Sequence, residues 1–400
     1  MQDIRNRLSK AWFPDESVEG FEQYQVHLFQ AYDLREDGKL GDARRLLKQN
    51  GRLPQSLYQK ARTEYIFAEY FKERDRLAKG SNQPRQQSYL GKAAEYFSLG
   101  AVAAKQVPDW ALFSQLKAFE SAVCYGDVPH QFLRAFSASR DALKAWRLLP
   151  DRDLMSDLRD GFVLAEELGM KAQFVAEDQV AVEALDWAAY LLHRLQECPD
   201  LDAAQYANDD LYLSWDWAYL YHTLGHFRQA FASALKTRRK GDVLLKPINK
   251  GRLQYLIASI ANDCVEEGEV GGYSRNRLLN VAEAAILLAY ELTQACGDAL
   301  GYALVLIAEA KWMALKHITK GRITKIDEAE KIAIAYHEEL LLGQVEIAWG
   351  DEYAFQNMTR PSAKKVQTAK EWYQKAEQRL TVVEAFNLAR QARRRRSRLP

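Results

Sequence analysis

The sequence predicts an all-α fold in which antiparallel helix pairs stack into one continuous α-solenoid. Three features support this prediction. Apolar residues recur at three- and four-residue spacing throughout the 400 residues, which is the period of a helix with one buried face. Good helix formers outnumber the β-branched residues that favour strands. A short pattern of small and apolar residues also returns at nearly regular spacing, as in a chain built from repeats.

The helix period is clearest in two stretches of the C-terminal half. Residues 278–292 carry apolar side chains at helical spacing. Residues 304–315 do the same, with Lys311 inside the apolar stripe, where its stem can cover apolar surface while its ammonium group reaches water. Glycine and proline divide the helices, and the predicted breaks are at residues 51–54, 80–84, 107–108, 149–150, 199, 241–247, 268–272, 297 and 360–361. Three breaks carry candidate N-cap residues, Asp109, Ser274 and Ser362.

The repeating pattern is a small residue, an apolar or larger residue four positions later and a small residue three positions further on. A good copy is Ala282, Ile286 and Ala289. The first alanines of the eight copies are Ala43, Ala93, Ala135, Ala181, Ala230, Ala282, Ala329 and Ala369. They are 40–52 residues apart, and each is predicted on the second helix of a pair. Such a pattern also occurs in other helical proteins, but an isolated pair cannot bury its apolar face, so regular pairs must stack.

Individual repeats resemble the tetratricopeptide-repeat superfamily. In the segment WAYLYHTLGHFRQAFASAL, the small, aromatic, turn-glycine and small positions of that family are filled by Ala218, Tyr221, Gly225 and Ala230. A second segment matches through Ala31, Leu34, Gly38 and Ala43, and a third fits in part through Ala369, Tyr373 and Ala376. The resemblance is to divergent bacterial members with long repeats, since the spacing here averages about 47 residues against 34 in the family.

The resemblance implies a right-handed α-solenoid of about eight antiparallel helix pairs over residues 1–400. It also implies a C-terminal capping helix at residues 381–400, and a concave face lined by the first helix of each pair. The family's clamp for a peptide carboxylate uses Lys and Asn on first helices, whereas the equivalent positions here are Leu28 and Tyr32. That binding mode is therefore not expected.

Composition favours a folded protein of the cytoplasm. Apolar residues make up 48% of the chain and charged residues 27%, which excludes a disordered chain. The four cysteines, Cys124, Cys198, Cys264 and Cys296, are widely spaced and predict neither a disulfide framework nor a zinc ribbon. The N-terminus has no apolar segment typical of a signal peptide, and no long uncharged apolar run predicts a membrane span.

The sequence predicts no enzyme, no cofactor and no metal site. It has no phosphate-binding loop of the G-x-x-x-x-G-K-[ST] type and no nucleophile elbow. His337 begins a zinc-protease-like motif, but Leu341 stands where the second histidine ligand is required. His222 and His226 are four residues apart, yet the predicted turn at Gly225 separates them, so a helix-end and a turn histidine are expected rather than a metal pair.

A candidate partner-binding groove lies on the first helix of the repeat that fits best. The predicted groove-facing residues are Tyr212, Trp215, Tyr219 and His222, with Asp216 beside them. Residues 196–221 hold six acids and no Lys or Arg. Aromatic rings next to carboxylates can bind a cationic side chain, which indicates a groove for a basic peptide. The alternative is that the aromatic residues are interhelix core and the acids a solvated face.

Two basic segments are further candidates. Residues 236–252 are predicted to be a basic loop between two repeats, which would contact phosphate or pair with acids of the adjacent repeat. The C-terminus is more strongly charged, with a net +5 over residues 381–400 against −4 for the rest of the chain. Its basic residues are Arg390, Arg393, Arg394, Arg395, Arg396 and Arg398. They predict contact with a nucleic-acid backbone, an acidic protein or anionic lipid, or else a solvated tail.

The first functional hypothesis is a non-enzymatic scaffold or regulatory sensor for signalling that binds a protein or peptide on the concave face. Because stacked repeats can flex, binding would change their curvature and pass a signal to a partner. The second hypothesis is a nucleic-acid-associated accessory subunit of a larger complex, using the C-terminal arginines and residues 236–252. No sequence-specific readout motif accompanies these basic segments.

Overall fold

The computed structural model describes residues 19–36, 39–51, 59–60, 62–68, 70, 83–106, 109–125, 131–149, 154–199, 201–268 and 272–400. All regular structure in these ranges is helical, which confirms the predicted fold class. The helices are α1 (Glu19–Glu36), α2 (Leu40–Gln49), α3 (Gln83–Gln106), α4 (Trp110–Tyr125), α5 (Phe132–Trp146), α6 (Met155–Phe174), α7 (Asp178–Leu195), α8 (Ala203–Leu224), α9 (Phe227–Leu244), α10 (Pro247–Glu266), α11 (Arg275–Cys296), α12 (Ala299–Leu315), α13 (Arg322–Ala335), α14 (Glu339–Thr359), α15 (Ala363–Val382) and α16 (Phe386–Ser397). Residues 59–60, 62–68 and 70 are helical as well.

Consecutive helices pack as pairs, and the pairs stack. Helices α8 and α9, α10 and α11, α12 and α13, and α14 and α15 pack against each other. The first helices α8, α10, α12 and α14 also pack side by side in that order. The eight alanines of the repeat pattern are all fully buried, and the last four, Ala230, Ala282, Ala329 and Ala369, lie on the second helices α9, α11, α13 and α15 of these pairs. The pattern therefore marks the positions where a second helix lies closest to its neighbours.

The chain divides into two compact units, residues 1–171 and 172–400. In the first unit, Tyr24, Leu28 and Leu47 belong to one apolar cluster, and Phe97 and Leu116 to another. The second unit has a large core around α8–α12 and a smaller one around α12–α14. The prediction that residues 1–400 form one domain stays a prediction.

Helix ends agree with the sequence in most places. Ser274 Oγ accepts a hydrogen bond from the Arg277 backbone N–H at 3.2 Å, and Asp109 Oδ1 accepts one from Leu112 at 3.0 Å. Gly225 ends α8 with φ of 82°, the left-handed conformation that glycine adopts most readily. Ser362 is not a side-chain cap, because Asn357 in the last turn of α14 reaches forward and accepts from the Ser362 N–H at 2.8 Å.

The prediction of a basic loop at residues 236–252 is wrong. Helix α9 continues to Leu244 and α10 begins at Pro247, so the connection is two residues long. Gly241 does not break α9 but is buried in it, and a Cβ there would lie 2.7 Å from Leu245 Cδ1. This glycine therefore lies in a closely packed part of α9 and not in a turn.

The basic side chains of this region pair with acids. Lys240 forms an ion pair with Asp210 of α8, and Arg252 Nε lies 3.1 Å from Asp298 Oδ2 at the start of α12. Lys240 and Arg252 therefore follow the second of the two predictions for this segment, in which its cations pair with acids of an adjacent repeat.

The C-terminal helix α16 packs on α15, at Phe386–Ser397 within the segment predicted to cap the solenoid. The buried apolar residues between 383 and 400 are all small, namely Ala385, Ala389 and Ala392. In the described part of the chain, no helix is long and apolar enough to cross a membrane.

Candidate functional site

The predicted aromatic stripe on α8 is partly exposed and partly packed. Tyr212, Trp215 and Tyr219 are half-buried and rest against the core of the second unit. The rings of Tyr212 and Trp215 are stacked with their centroids 6.3 Å apart. The Tyr212 hydroxyl accepts a hydrogen bond from Asn249 of α10 at 3.2 Å. Asp216 is half-buried on the same helix. Each of these rings therefore packs partly against the core and is partly exposed to solvent.

Tyr219 connects α8 to the C-terminal helix. Its ring stacks on Phe174 at 6.0 Å between centroids. Burial raises the pKa of Tyr219, with the nearby Tyr255 adding to the effect and the side chain of Asn387 opposing it. Because Asn387 belongs to α16, the C-terminal helix lies at the predicted groove.

His222 faces an acid of the next helix pair. Its Nε2 lies 2.5 Å from Asp263 Oδ2 on α10. His226 stands beyond Gly225, at the N-cap of α9, so the two histidines do not share a helix face. Among the residues that the structure describes, no group of three or more His, Cys, Asp or Glu side chains could hold a metal ion.

An ionic cluster extends from His222 across four successive first helices. We name it the first-helix cluster, and it consists of His222 of α8, Asp263 and Glu266 of α10, Lys311 of α12 and Asp351 of α14. Lys311 Nζ pairs with Asp263 and lies 2.5 Å from Glu266 Oε2. The cluster thus ties together neighbouring pairs of the array rather than the two helices of one pair.

Arg395 of α16 completes the first-helix cluster. Its Nη1 donates to Asp351 Oδ1 at 2.6 Å, and its Nη2 lies 3.5 Å from both Asp263 Oδ1 and Glu266 Oε2. Asp351 also accepts from the Tyr373 hydroxyl of α15 at 2.7 Å. One arginine of the C-terminal helix therefore contacts all three acids of the cluster.

The pKa values of the cluster follow from burial and from these cations. Burial alone would raise the pKa of Asp263, but Lys311 and then His222 hold it well below its ordinary value. The pKa of Glu266 is likewise lowered, because Lys311 and Arg395 outweigh its burial. Burial and then Arg395 would lower the pKa of Lys311, but Asp263 and Glu266 raise it overall. Asp263, Glu266 and Lys311 are therefore charged at neutral pH. Burial raises the pKa of Asp351, although Arg395 and Lys311 oppose this effect.

The other C-terminal arginines divide between two sides of α16. On one side, Arg390 donates two hydrogen bonds to Asp178 at the start of α7, at 2.6 and 2.8 Å, and Arg398 pairs with Glu267 at the end of α10. On the side of α15, Arg393 and Arg396 both pair with Glu377, at 2.7 and 2.9 Å. Arg394 is exposed. These residues form a docked helix and not a loose tail.

The sequence did not single out the acids that bind α16. Asp178, Asp263, Glu266 and Asp351 lie on three helices whose proximity only the fold creates. One signal was present, since Asn262 and Asp263 interrupt an otherwise apolar run in α10 and both are buried. Lys311 was another, because a cation within an apolar stripe here pairs with two carboxylates, of which Asp263 is buried.

No family model matches the chain, and no curated protein matches its sequence. Among solved structures, a Rap protein complexed with Competence and Sporulation Factor is similar over 94% of this chain and 97% of that one, with 10% identity and a TM-score of 0.51. A second match is a circular tandem repeat protein with novel repeat topology and enhanced subunit contact surfaces. The alignment covers 94% of this chain and 91% of that protein, with 12% identity and a TM-score of 0.22. The likeness to the Rap protein and the helix pairing show that the chain has an all-helical fold of stacked helix pairs.

Proposed function

We propose that the chain is a non-enzymatic scaffold that binds a cationic segment of a partner protein on its first helices. The observation that supports this most directly is the seat of α16, where three acids of α10 and α14 surround one arginine. A face that accommodates an arginine-bearing helix of its own chain has the charge and shape to accept one from another protein. The Rap protein of similar fold is complexed with Competence and Sporulation Factor, which makes ligand binding by such a fold a reasonable expectation.

The residues proposed for binding are the α8 stripe and the acids beside it. Tyr212, Trp215 and Tyr219 offer ring faces for cation–π contact, and His222 and Asp216 offer polar contacts. Asp263, which the sequence did not indicate, adds a charge next to His222. Aromatic and acidic groups together favour arginine over lysine, because the guanidinium plane both stacks and forms paired hydrogen bonds.

A regulatory role is part of the proposal. The first-helix cluster joins α8, α10, α12 and α14, so its ion pairs cross the boundaries between successive helix pairs. A ligand that changes these ion pairs would change how neighbouring pairs meet, which is the way in which a stacked array alters its curvature. Such a change can be passed to a second partner in signalling.

The cytoplasm is the proposed compartment. The four cysteines all lie in described residues, and all four are thiols. An oxidising compartment would favour disulfides in a protein of this kind, and a reducing one preserves thiols.

The nucleic-acid hypothesis receives less support. Five of the six C-terminal arginines form ion pairs with carboxylates of the same chain, and only Arg394 points to solvent without one among the described residues. Binding a phosphate backbone through this segment would first require those pairs to break. Weak and strongly salt-dependent binding to duplex or single-stranded DNA is therefore the most that α16 is expected to give.

The proposal is tested by capturing partners from the native host on the immobilised full chain, and then titrating each purified candidate against variants. Trp215→Ala and Tyr219→Ala should weaken binding of a true groove ligand at least tenfold. Trp217→Ala is the matched control, because Trp217 lies two residues from Trp215 and hence on another side of α8. Unchanged affinity for both groove variants, with their helical content intact by circular dichroism, would refute the assignment.

A further inference from the structure

We infer that α16 is an internal ligand of the first-helix cluster, and that it must leave before an arginine-bearing helix of a partner protein can bind there. This inference rests on the proposed function and specifies its partner and its regulation. The occupied site is defined by three α16 arginines that pair with α7, α10 and α14, namely Arg390, Arg395 and Arg398. Their counterparts are Asp178, the acids of the cluster and Glu267.

The charge of the cluster shows that it requires a cation from outside the first helices. Asp263, Glu266 and Asp351 supply three carboxylates, and Lys311 supplies the only permanent cation from α8–α14 that contacts them among the described residues. Arg395 is the second cation, and its side chain is 14% exposed. If α16 leaves, the formal charge of the three carboxylates and their cations changes from −1 to −2, so a replacement helix that carries arginine is strongly favoured over a neutral one.

The apolar anchorage of α16 is small enough for the helix to be exchanged. Between residues 383 and 400, the buried apolar residues are Ala385, Ala389 and Ala392, while Phe386 and Leu388 remain half-buried. The preceding helix α15 instead buries Tyr373 and Leu380 as well as two alanines. Since alanine loses little apolar contact on exposure, the ion pairs supply a large share of the attachment of α16.

The partner that fits is consequently a helix whose arginines repeat the spacing of Arg390, Arg395 and Arg398. Residue 390 reaches the start of α7, 395 reaches the middle of the cluster, and 398 reaches the end of α10. Because α16 is tethered at a high effective concentration, the ligand binds only to the fraction of molecules in which α16 is undocked. The C-terminal helix thus sets a threshold for binding.

The test uses a labelled synthetic peptide with the sequence of residues 386–400 and the full-length protein, followed by fluorescence anisotropy. In the open variant, Arg390→Gln, Arg395→Gln and Arg398→Gln are combined. In the matched control, Arg393→Gln, Arg394→Gln and Arg396→Gln remove the same charge from other positions of α16. We expect the open variant to bind the peptide at least tenfold more tightly than the wild type. The control should bind within about twofold of the wild type, since Arg393 and Arg396 pair with Glu377 of α15 and not with the first-helix cluster.

The outcomes separate the inference from the proposed function. Equal peptide affinity for the open variant and the wild type would overturn the internal-ligand inference, and leave the binding face standing. No binding to the open variant, with its helical content intact, would overturn both. If the open variant does not fold, Arg395→Gln alone is used with the same criterion. Adding Asp263→Asn to the open variant should abolish tight binding of the peptide. If tight binding persists, the peptide is not recognised at the first-helix cluster. If light scattering shows that the open variant forms a dimer with the wild type, the occupant of the site is a second copy of this chain. That result would contradict the proposed partner protein.

Discussion

Two neighbouring acids of α14, Asp351 and Glu352, each hold an arginine, but in different surroundings. Glu352 accepts from Arg322 of α13, at 2.8 Å for the Nη2–Oε1 pair, and the two side chains are 3% and 4% exposed. The Arg322 guanidinium also lies 4.4 Å from the ring centroid of Phe355. Asp351 binds Arg395, with exposures of 25% and 14%. One pair is sealed inside the array, and the other attaches a helix at its surface.

The difference lies in what else holds each arginine's helix. Helix α13 buries Ile326, Ala329 and Ala333 in addition to Arg322, so its ion pair is locked by the surrounding core. Helix α16 depends on alanines and on charge. The Arg322–Glu352 ion pair therefore holds two helix pairs together permanently, whereas the Arg395–Asp351 ion pair attaches α16 in a way that can be released.

The largest effect is expected from Glu352→Gln. This change leaves the Arg322 charge buried without its carboxylate, which costs about 3–5 kcal/mol in such pairs. The free energy of unfolding, measured by urea denaturation, should fall by that amount, whereas Glu371→Gln on the exposed face of α15 should change it by less than about 0.5 kcal/mol. A loss below about 1 kcal/mol for Glu352→Gln would remove the distinction between the two pairs.

Arg395→Gln should have a smaller and more local effect. The lost charge-assisted hydrogen bonds are worth about 1.5–3 kcal/mol, and the loss should appear as faster amide hydrogen exchange in Phe386–Ser397 rather than throughout the second unit. Arg394→Gln, on the same helix but exposed, is the control and should leave exchange unchanged. Acceleration of exchange in α13 as well would show that the two arginines are not independent.

Gly350→Ala should disturb Asp351 through its neighbour. An added Cβ would lie 2.5 Å from Tyr373 Cε1, and the Tyr373 hydroxyl donates to Asp351. Overpacking of this kind costs about 1–3 kcal/mol. Gly91→Ala in α3, where nothing lies within 4 Å of the new Cβ, should instead be neutral or slightly stabilising in thermal unfolding. Equal melting temperatures for the two variants would contradict the contact between α14 and α15.

Acid should release α16 only at low pH. The pKa values of Asp263 and Glu266 are lowered from their ordinary 3.8 and 4.5, despite burial, by Lys311 and other cations. Arg395 accounts for part of both shifts, and this part disappears when α16 undocks. Its contribution to docking is therefore complete above those ordinary values and is lost as the pH falls below them. Amide exchange of α16 should stay slow from pH 7 to about pH 5 and accelerate below about pH 4. Release of α16 between pH 6 and 7 would instead point to Asp351, whose pKa is raised by burial.

Much of the fold could be predicted from the sequence because the repeats are local. The alanine pattern located the second helices α9, α11, α13 and α15, and Gly225 located a turn, since both depend on contacts between neighbours in the chain. Gly241 misled the prediction, because the sequence cannot tell a glycine needed for close packing from one needed for a turn.

The candidate site could be predicted only in part. The stripe from Tyr212 to His222 follows from one helix, and the structure places Tyr219 and His222 beside α16 and Asp263. The acids that pair with the C-terminal arginines could not be predicted in this way, because Arg390 and Asp178, for example, are 212 residues apart. Only the stacking of the repeats brings such distant charges together.

The most direct test of the central claim is amide hydrogen exchange of wild-type α16 with and without a saturating excess of the 386–400 peptide. If α16 occupies the binding face as an internal ligand, the peptide will displace it, and exchange in residues 386–397 will accelerate while exchange in α11 stays constant. Unchanged or slower exchange in α16, under conditions where the peptide is bound, would contradict the claim.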